Sequence, residues 1–134
     1  MKLVFAAFLI GHALIHVSYL SPAPPRTADG PQWPFEMAQS WLVTSAGLDP
    51  SLVRSLGTAM VLATIALLVA AALATAGWLV PAEWWSALVV GGATASALTL
   101  GMFFHPWILL GFVIDAALLW AAVVMNWSPL TSVP

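Results

Sequence analysis

Three side chains in this sequence could act together chemically. His12 and His16 stand four apart in an apolar stretch, and Asp115 is the lone acid in the run Leu109-Leu110-Gly111-Phe112-Val113-Ile114-Asp115-Ala116-Ala117-Leu118-Leu119-Trp120. Residues four apart on a helix share one face, so both imidazoles can reach one partner. An acid at the centre of a membrane-spanning helix costs about 2.5 kcal/mol or more, so Asp115 needs a partner or a function. Three chemistries fit. An imidazole can hydrogen-bond Asp115 and so fix a helix pairing where unsatisfied polar groups are expensive. Alternatively His12, His16 and Asp115, with His105 as a possible fourth ligand, offer nitrogen and oxygen donors to a divalent metal ion, or relay a proton. The third chemistry is haem or quinone binding between an imidazole of the first stretch and His105. Two axial ligands must approach iron from opposite sides, and His105 is too shallow for that.

Composition dictates the elements that must carry these residues. Apolar residues make up 62% of the 134 and charged ones 6%, against roughly 25% charged in an average soluble domain. Such a chain cannot clothe a water-facing surface. The expectation is an all-α membrane protein: one integral domain, an up-down bundle of four transmembrane helices with a short interfacial helix in the first loop. Its partner is the lipid bilayer, and its expected location is a bacterial inner (plasma) membrane. A net charge of −2 with three Lys/Arg is too little to neutralise a phosphate backbone, so nucleic acid is not an expected partner. Without cysteine there are no disulfides, thiolate metal sites or iron–sulfur clusters.

Proline and glycine punctuate the spans. The first covers residues 3–20 and stops at Ser21-Pro22-Ala23-Pro24-Pro25, because proline lacks the amide and fixes φ. Lys2 before an apolar core also matches a cleaved leader, but two histidines interrupt that core and no small-x-small site follows cleanly. The second span, residues 52–80, starts after Asp49-Pro50, an N-cap acid and an N1 proline, and is uncharged from Leu56 to Val80. The third covers 84–104 and the fourth 107–126, with His105-Pro106 as a tight junction. The long connection, residues 21–50, holds Arg26, Asp29, Glu36 and Asp49, four of the eight charged side chains. Inside it, residues 34–47 run from a proline to a glycine and predict a helix with Phe35, Ala38, Trp41, Leu42 and Ser45 on one face. Trp78, Trp84, Trp85, Trp107 and Trp127 sit where interfacial belts form. Lys2 on one face against Arg26 and Arg54 on the other leaves the membrane orientation open.

Depth brings the chemistry to one level. His12 lies eight residues before Leu20 and Asp115 eight after Trp107, each roughly 12 Å in from the long-loop face. His16 is one turn shallower, and Tyr19, His105 and Arg54 stand at the mouth. The expected ligand-binding set is therefore His12, His16, Asp115, Tyr19, His105 and Arg54, with His12, His16 and Asp115 as metal ligands. Small residues of the third span, Ala87, Gly91, Gly92, Ala93, Ala95, Ser96 and Ala97, predict close helix packing, within the bundle, in a homo-oligomer or against a larger membrane complex. No G-x-S-x-G, H-E-x-x-H or phosphate-loop pattern is present, so enzymatic activity is not the leading expectation. In size and four-span layout the chain is similar to small bacterial membrane families such as the DoxX-like proteins, a likeness of hydropathy that carries no residue roles. The function expected is binding or translocation of a small cation, proton or polar ligand. The alternatives are a non-catalytic accessory subunit, or a small membrane enzyme or haem/quinone-binding subunit.

Overall fold

A computed structural model describes residues 2–25 and 33–128; Arg26, Asp29 and Pro129 lie outside the described residues. The described residues are all helical or irregular, without a strand. The α-helices are α1 (Lys2–His16), α2 (Trp41–Thr44), α3 (Pro50–Ala76), α4 (Trp85–Met102) and α5 (Leu109–Leu119). Short 3₁₀ turns extend three of them: Val17–Leu20 after α1, Ala82–Trp84 before α4 and Pro106–Ile108 before α5. A π-helical turn, Trp120–Val124, continues α5. With these extensions, four helices are long and apolar enough to cross a membrane: Lys2–Leu20, Pro50–Ala76, Ala82–Met102 and Pro106–Val124.

Local chemistry explains where they start and stop. The Asp49 carboxylate accepts the Leu52 amide at 2.9 Å and the Ser51 hydroxyl, and Pro50 opens α3. The far end of α3 departs from the expected boundary at Val80. Gly77 takes the left-handed conformation (φ 75); its amide bonds Ala74 O and the Trp78 amide bonds Leu73 O, a Schellman closure that only glycine adopts cheaply. At the next junction the extended His105 caps the Pro106–Ile108 turn, its Nδ1 accepting the Trp107 amide at 3.2 Å.

The long loop also differs from expectation. In place of one helix over residues 34–47 there is a 3₁₀ turn, Met37–Gln39, then an extended Ser40 (ψ 133), then the single-turn α2. The break has a purpose at Ser40. Its hydroxyl donates to Met102 O at 2.6 Å, and Trp41 Nε1 donates to Gly101 O at 2.8 Å. Both carbonyls belong to the last turn of α4, where helical partners run out. The loop is thereby tied across the end of α4 rather than lying as a free amphipathic helix.

The outer surface is far more apolar than that of a water-soluble domain. In α1 the buried residues include His12 and His16 while Leu14 and Ile15 are exposed; Leu62, Leu98, Leu110 and Val113 likewise face outward. Hydrocarbon is the solvent that such a surface suits. Helix α3 packs against both α1 and α4, and α4 against α5. At the α3–α4 contact a Cβ on Gly92 would stand 2.7 Å from Leu68 Cδ2, so the small residues of α4 bring the helices close within the chain. Trp85 is 1% exposed and packs edge-on to Trp127. Two apolar clusters result. One holds Leu9, Ala13, Leu68, Val89, Ala93 and Leu118, the other Tyr19, Val53, Val61, Leu100, Phe103 and Ile108. Along α1, α4 and α5 the buried polar residues fall between the two.

Candidate functional site

The polar layer consists of His12 and His16 from α1, Ser96 from α4 and Asp115 from α5, each at most 4% exposed. Helical spacing puts both imidazoles on the inward stripe of α1, beside Ala6, Leu9 and Ala13. Their rings meet edge-on with centroids 5.4 Å apart. His12 Nε2 is 2.8 Å from Asp115 Oδ1. The Ser96 hydroxyl donates to the other carboxylate oxygen, Oδ2, at 2.6 Å, and Ser96 Oγ is 2.9 Å from His16 Nε2. His16 Nδ1 closes the chain on the main-chain oxygen of His12 at 3.2 Å. Both carboxylate oxygens thus have partners, as a buried acid requires.

His12 Nδ1 does not share in this. It is buried and has no hydrogen-bond partner among the described residues. With Nε2–H given to Asp115, Nδ1 of a neutral His12 carries a lone pair and no proton.

No family model, curated protein or solved structure matches this chain. The chemistry of the site must be read from its own geometry.

The geometry brings the expected metal set, His12, His16 and Asp115, together through hydrogen bonds, with Ser96 between Asp115 and His16. Among the described residues no group of three or more His, Asp or Glu side chains is arranged to hold a metal ion. The reason is the direction of the lone pairs. His16 Nδ1 faces a carbonyl and must carry hydrogen there, its Nε2 faces Ser96, and His12 Nε2 is spent on Asp115. The donors point at one another and share no central point.

The remaining expected residues divide. Tyr19 packs against His16, centroids 6.3 Å apart, and against Phe35 and Phe103. Its hydroxyl is buried without a partner among the described residues, and it lines a cavity of about 130 Å³ together with Ser21, Phe35, Glu36, Met37 and Arg54. Tyr19 and Arg54 therefore meet at one vestibule on the loop side, one ring away from the polar layer. His105 does not join them: it caps its turn and stacks edge-on to Trp107 at 5.8 Å.

Ser96 is the residue that sequence reasoning missed. Its place in a stripe of small residues reads as packing. Its depth was the available signal: it stands eight residues before Phe104 and Asp115 eight after Trp107, which sets both roughly 12 Å in from the loop face.

Proposed function

We propose that this chain is a small polytopic membrane protein that binds and moves a small cation, the proton before any metal, at the His12–Asp115–Ser96–His16 layer. The four long helices cross the bilayer as an up-down bundle, with the tied-down loop lying at the interface above the Tyr19–Arg54 vestibule. An all-helical set of spans suits a plasma or inner membrane, since outer-membrane proteins of bacteria are typically barrels.

The observation that carries this reading is the buried His12 Nδ1. In a layer where every other side-chain nitrogen and oxygen has a partner, one imidazole lone pair has none among the described residues, beside an imidazole–carboxylate bond. A purely structural clasp gains nothing from it, because an unpaired buried polar atom costs about 1–3 kcal/mol. A site that takes up a cation needs such an atom. Histidine is also the side chain whose ordinary titration range straddles neutral pH.

Flux measurement tests the proposal. The purified protein is reconstituted into liposomes carrying an internal pH indicator, and a pH step is applied. The wild type is expected to collapse the gradient faster than empty vesicles, and Asp115→Asn, which keeps shape and hydrogen bonding but loses the titratable charge, is expected to be folded and slow. A folded Asp115→Asn protein as fast as wild type would make the layer a helix clasp, the role expected of an accessory subunit.

A further inference from the structure

We infer that Ser96 is a reversible switch through which one proton passes between Asp115 and His16. The inference rests on the cation-handling reading of the layer and names the cation as the proton.

Donor and acceptor counting carries it. A main-chain carbonyl has no hydrogen to give, so His16 Nδ1, 3.2 Å from His12 O, bears hydrogen in every state of the bond. The only position at which His16 can gain or lose a proton within the chain is Nε2, which faces Ser96 Oγ at 2.9 Å. A hydroxyl has one hydrogen, and Ser96 Oγ lies within bonding distance of both His16 Nε2 and Asp115 Oδ2. It can donate to one and must accept from the other. Two arrangements satisfy all three groups.

In the first, Asp115 is a carboxylic acid whose Oδ2–H donates to Ser96, Ser96 donates to the lone pair of His16 Nε2, and all three groups are neutral. In the second, Asp115 is a carboxylate accepting from Ser96, and Ser96 accepts from Nε2–H of a His16 imidazolium. One converts to the other when the Asp115 O–H bond breaks and its proton bonds Ser96 Oγ, while the former Ser96 O–H proton bonds His16 Nε2. Serine ends neutral with its hydroxyl reversed, one negative charge appears on Asp115 and one positive on His16, and no atom is lost. His12 Nε2–H donates to Asp115 Oδ1 in both. Among the described residues no other charged group stands inside this layer. Helix α3 contributes Arg54 only at its exposed start, α4 has no ionisable residue, the other ionisable groups of α1 are Lys2 at its start and His12, and Tyr19 touches His16 from the loop side.

The test reads the protons directly. Protein labelled with ¹⁵N-histidine is placed in lipid nanodiscs, and the His16 Nε2 shift is followed across pH in wild type, Ser96→Thr and Ser96→Ala. Wild type and Ser96→Thr, which keeps the hydroxyl, are expected to share an intermediate, exchange-averaged Nε2 shift that moves when Asp115 is replaced by Asn. Ser96→Ala is expected to give a His16 shift insensitive to Asp115→Asn, and proton flux in liposomes about a hundredfold slower, the lower end of what a positioned proton-transferring group supplies. A folded Ser96→Ala protein whose His16 still answers to Asp115→Asn as in wild type overturns the switch. Should Ser96→Ala fail to fold, the wild-type and Ser96→Thr responses to Asp115→Asn decide alone, and their absence overturns it. Wild-type liposomes without flux but with a shared Nε2 proton would retire the transport reading and leave the switch standing.

Discussion

His12 Nε2 and Asp115 Oδ1 stand 2.8 Å apart across 103 residues of chain. The bond joins the first long helix to the last, which otherwise pack chiefly through α3 and α4 between them. Toward the chain's N-terminal end the same two helices are separated by an apolar cavity of about 260 Å³ lined by Phe5, Phe8, Val113, Ile114 and Ala117. The bond therefore works as a clasp that closes a ring of four helices. Both ends are almost fully buried, so water has little access to compete for them.

Removing one end of the clasp should cost more than neutralising it. Asp115→Ala strands the His12 N–H and leaves the Ser96 hydroxyl with His16 alone, and breaking a buried pair from one side typically costs about 3–5 kcal/mol. Asp115→Asn can accept from His12 with its carbonyl, so it should cost well under half of that. Thermal unfolding in detergent, compared with hydrogen exchange confined to α5, measures both. Equal losses in the two variants would argue that shape alone matters at position 115.

A chelator should change nothing. Because His12 Nε2, His16 Nδ1 and the Asp115 carboxylate are engaged with one another and with Ser96 and a main-chain oxygen, the resting fold is expected not to depend on a metal ion, and stability tracks ligand occupancy only where a ligand binds the native state. Melting curves with and without a strong divalent-metal chelator should superimpose. Stoichiometric metal in the purified protein, together with a lowered melting temperature after chelation, would reverse this.

One of the loop's two ties to the end of α4 can be tested by a small substitution. Ser40 is 1% exposed, and its hydroxyl both donates to Met102 O and accepts the Leu42 amide. Ser40→Ala loses the two together and leaves a helix-end carbonyl unpaired, a change worth about 1–2 kcal/mol. Amide exchange should rise over residues 37–46 and stay unchanged in α1. Exchange that rises equally throughout would mean the loop is part of the global fold and not a separately tethered element.

How far the sequence predicted this arrangement depends on the residue type. Proline and apolar run length marked the four spans, because a broken helix leaves amides that lipid cannot satisfy. His12, His16 and Asp115 could be set at similar depths by counting turns, since charge and imidazole stand out against hydrocarbon. Ser96 could be set at the depth of Asp115 by the same counting, but depth alone does not tell a bonding hydroxyl from the packing role it shares with Ala95 and Ala97. The inward turn of Trp85 and the extended Ser40 are likewise products of tertiary contact. Gly77 differs, since a glycine four residues before Pro81 already offered the stop that the longer apolar run concealed.

Close approach predicts a second, graded effect. A Cβ on Gly57 would stand 2.4 Å from Phe103 Cζ and 3.4 Å from Met37 Sδ, and Phe103 is itself 3% exposed. Gly57→Ala must push that ring aside and should destabilise by about 1–3 kcal/mol, the usual range for overpacking. Gly101 lies in α4 with nothing within 4 Å of the same position, so Gly101→Ala should be neutral or slightly stabilising through helix propensity. A comparison of unfolding midpoints is sufficient, and similar values for the two variants would contradict the tight α3–Phe103 contact.

The start of α3 should respond to acid. The Ser51 hydroxyl, with help from the Leu52 amide, holds the fully exposed Asp49 carboxyl below its ordinary range. A group whose folded pKa is depressed contributes stability above its unfolded value and loses it as pH falls through the folded one. The cap is therefore intact at neutral pH and weakens only below about 4, the usual aspartate range. In nanodiscs, the Leu52 amide proton shift should move through that acid window while amides in the middle of α3 hold still. Asp49→Asn, which keeps an oxygen acceptor without the ionisation, should remove the pH dependence and leave the helix start folded. If the Leu52 signal moved with pH just as before in Asp49→Asn, another acid would be the one that titrates there.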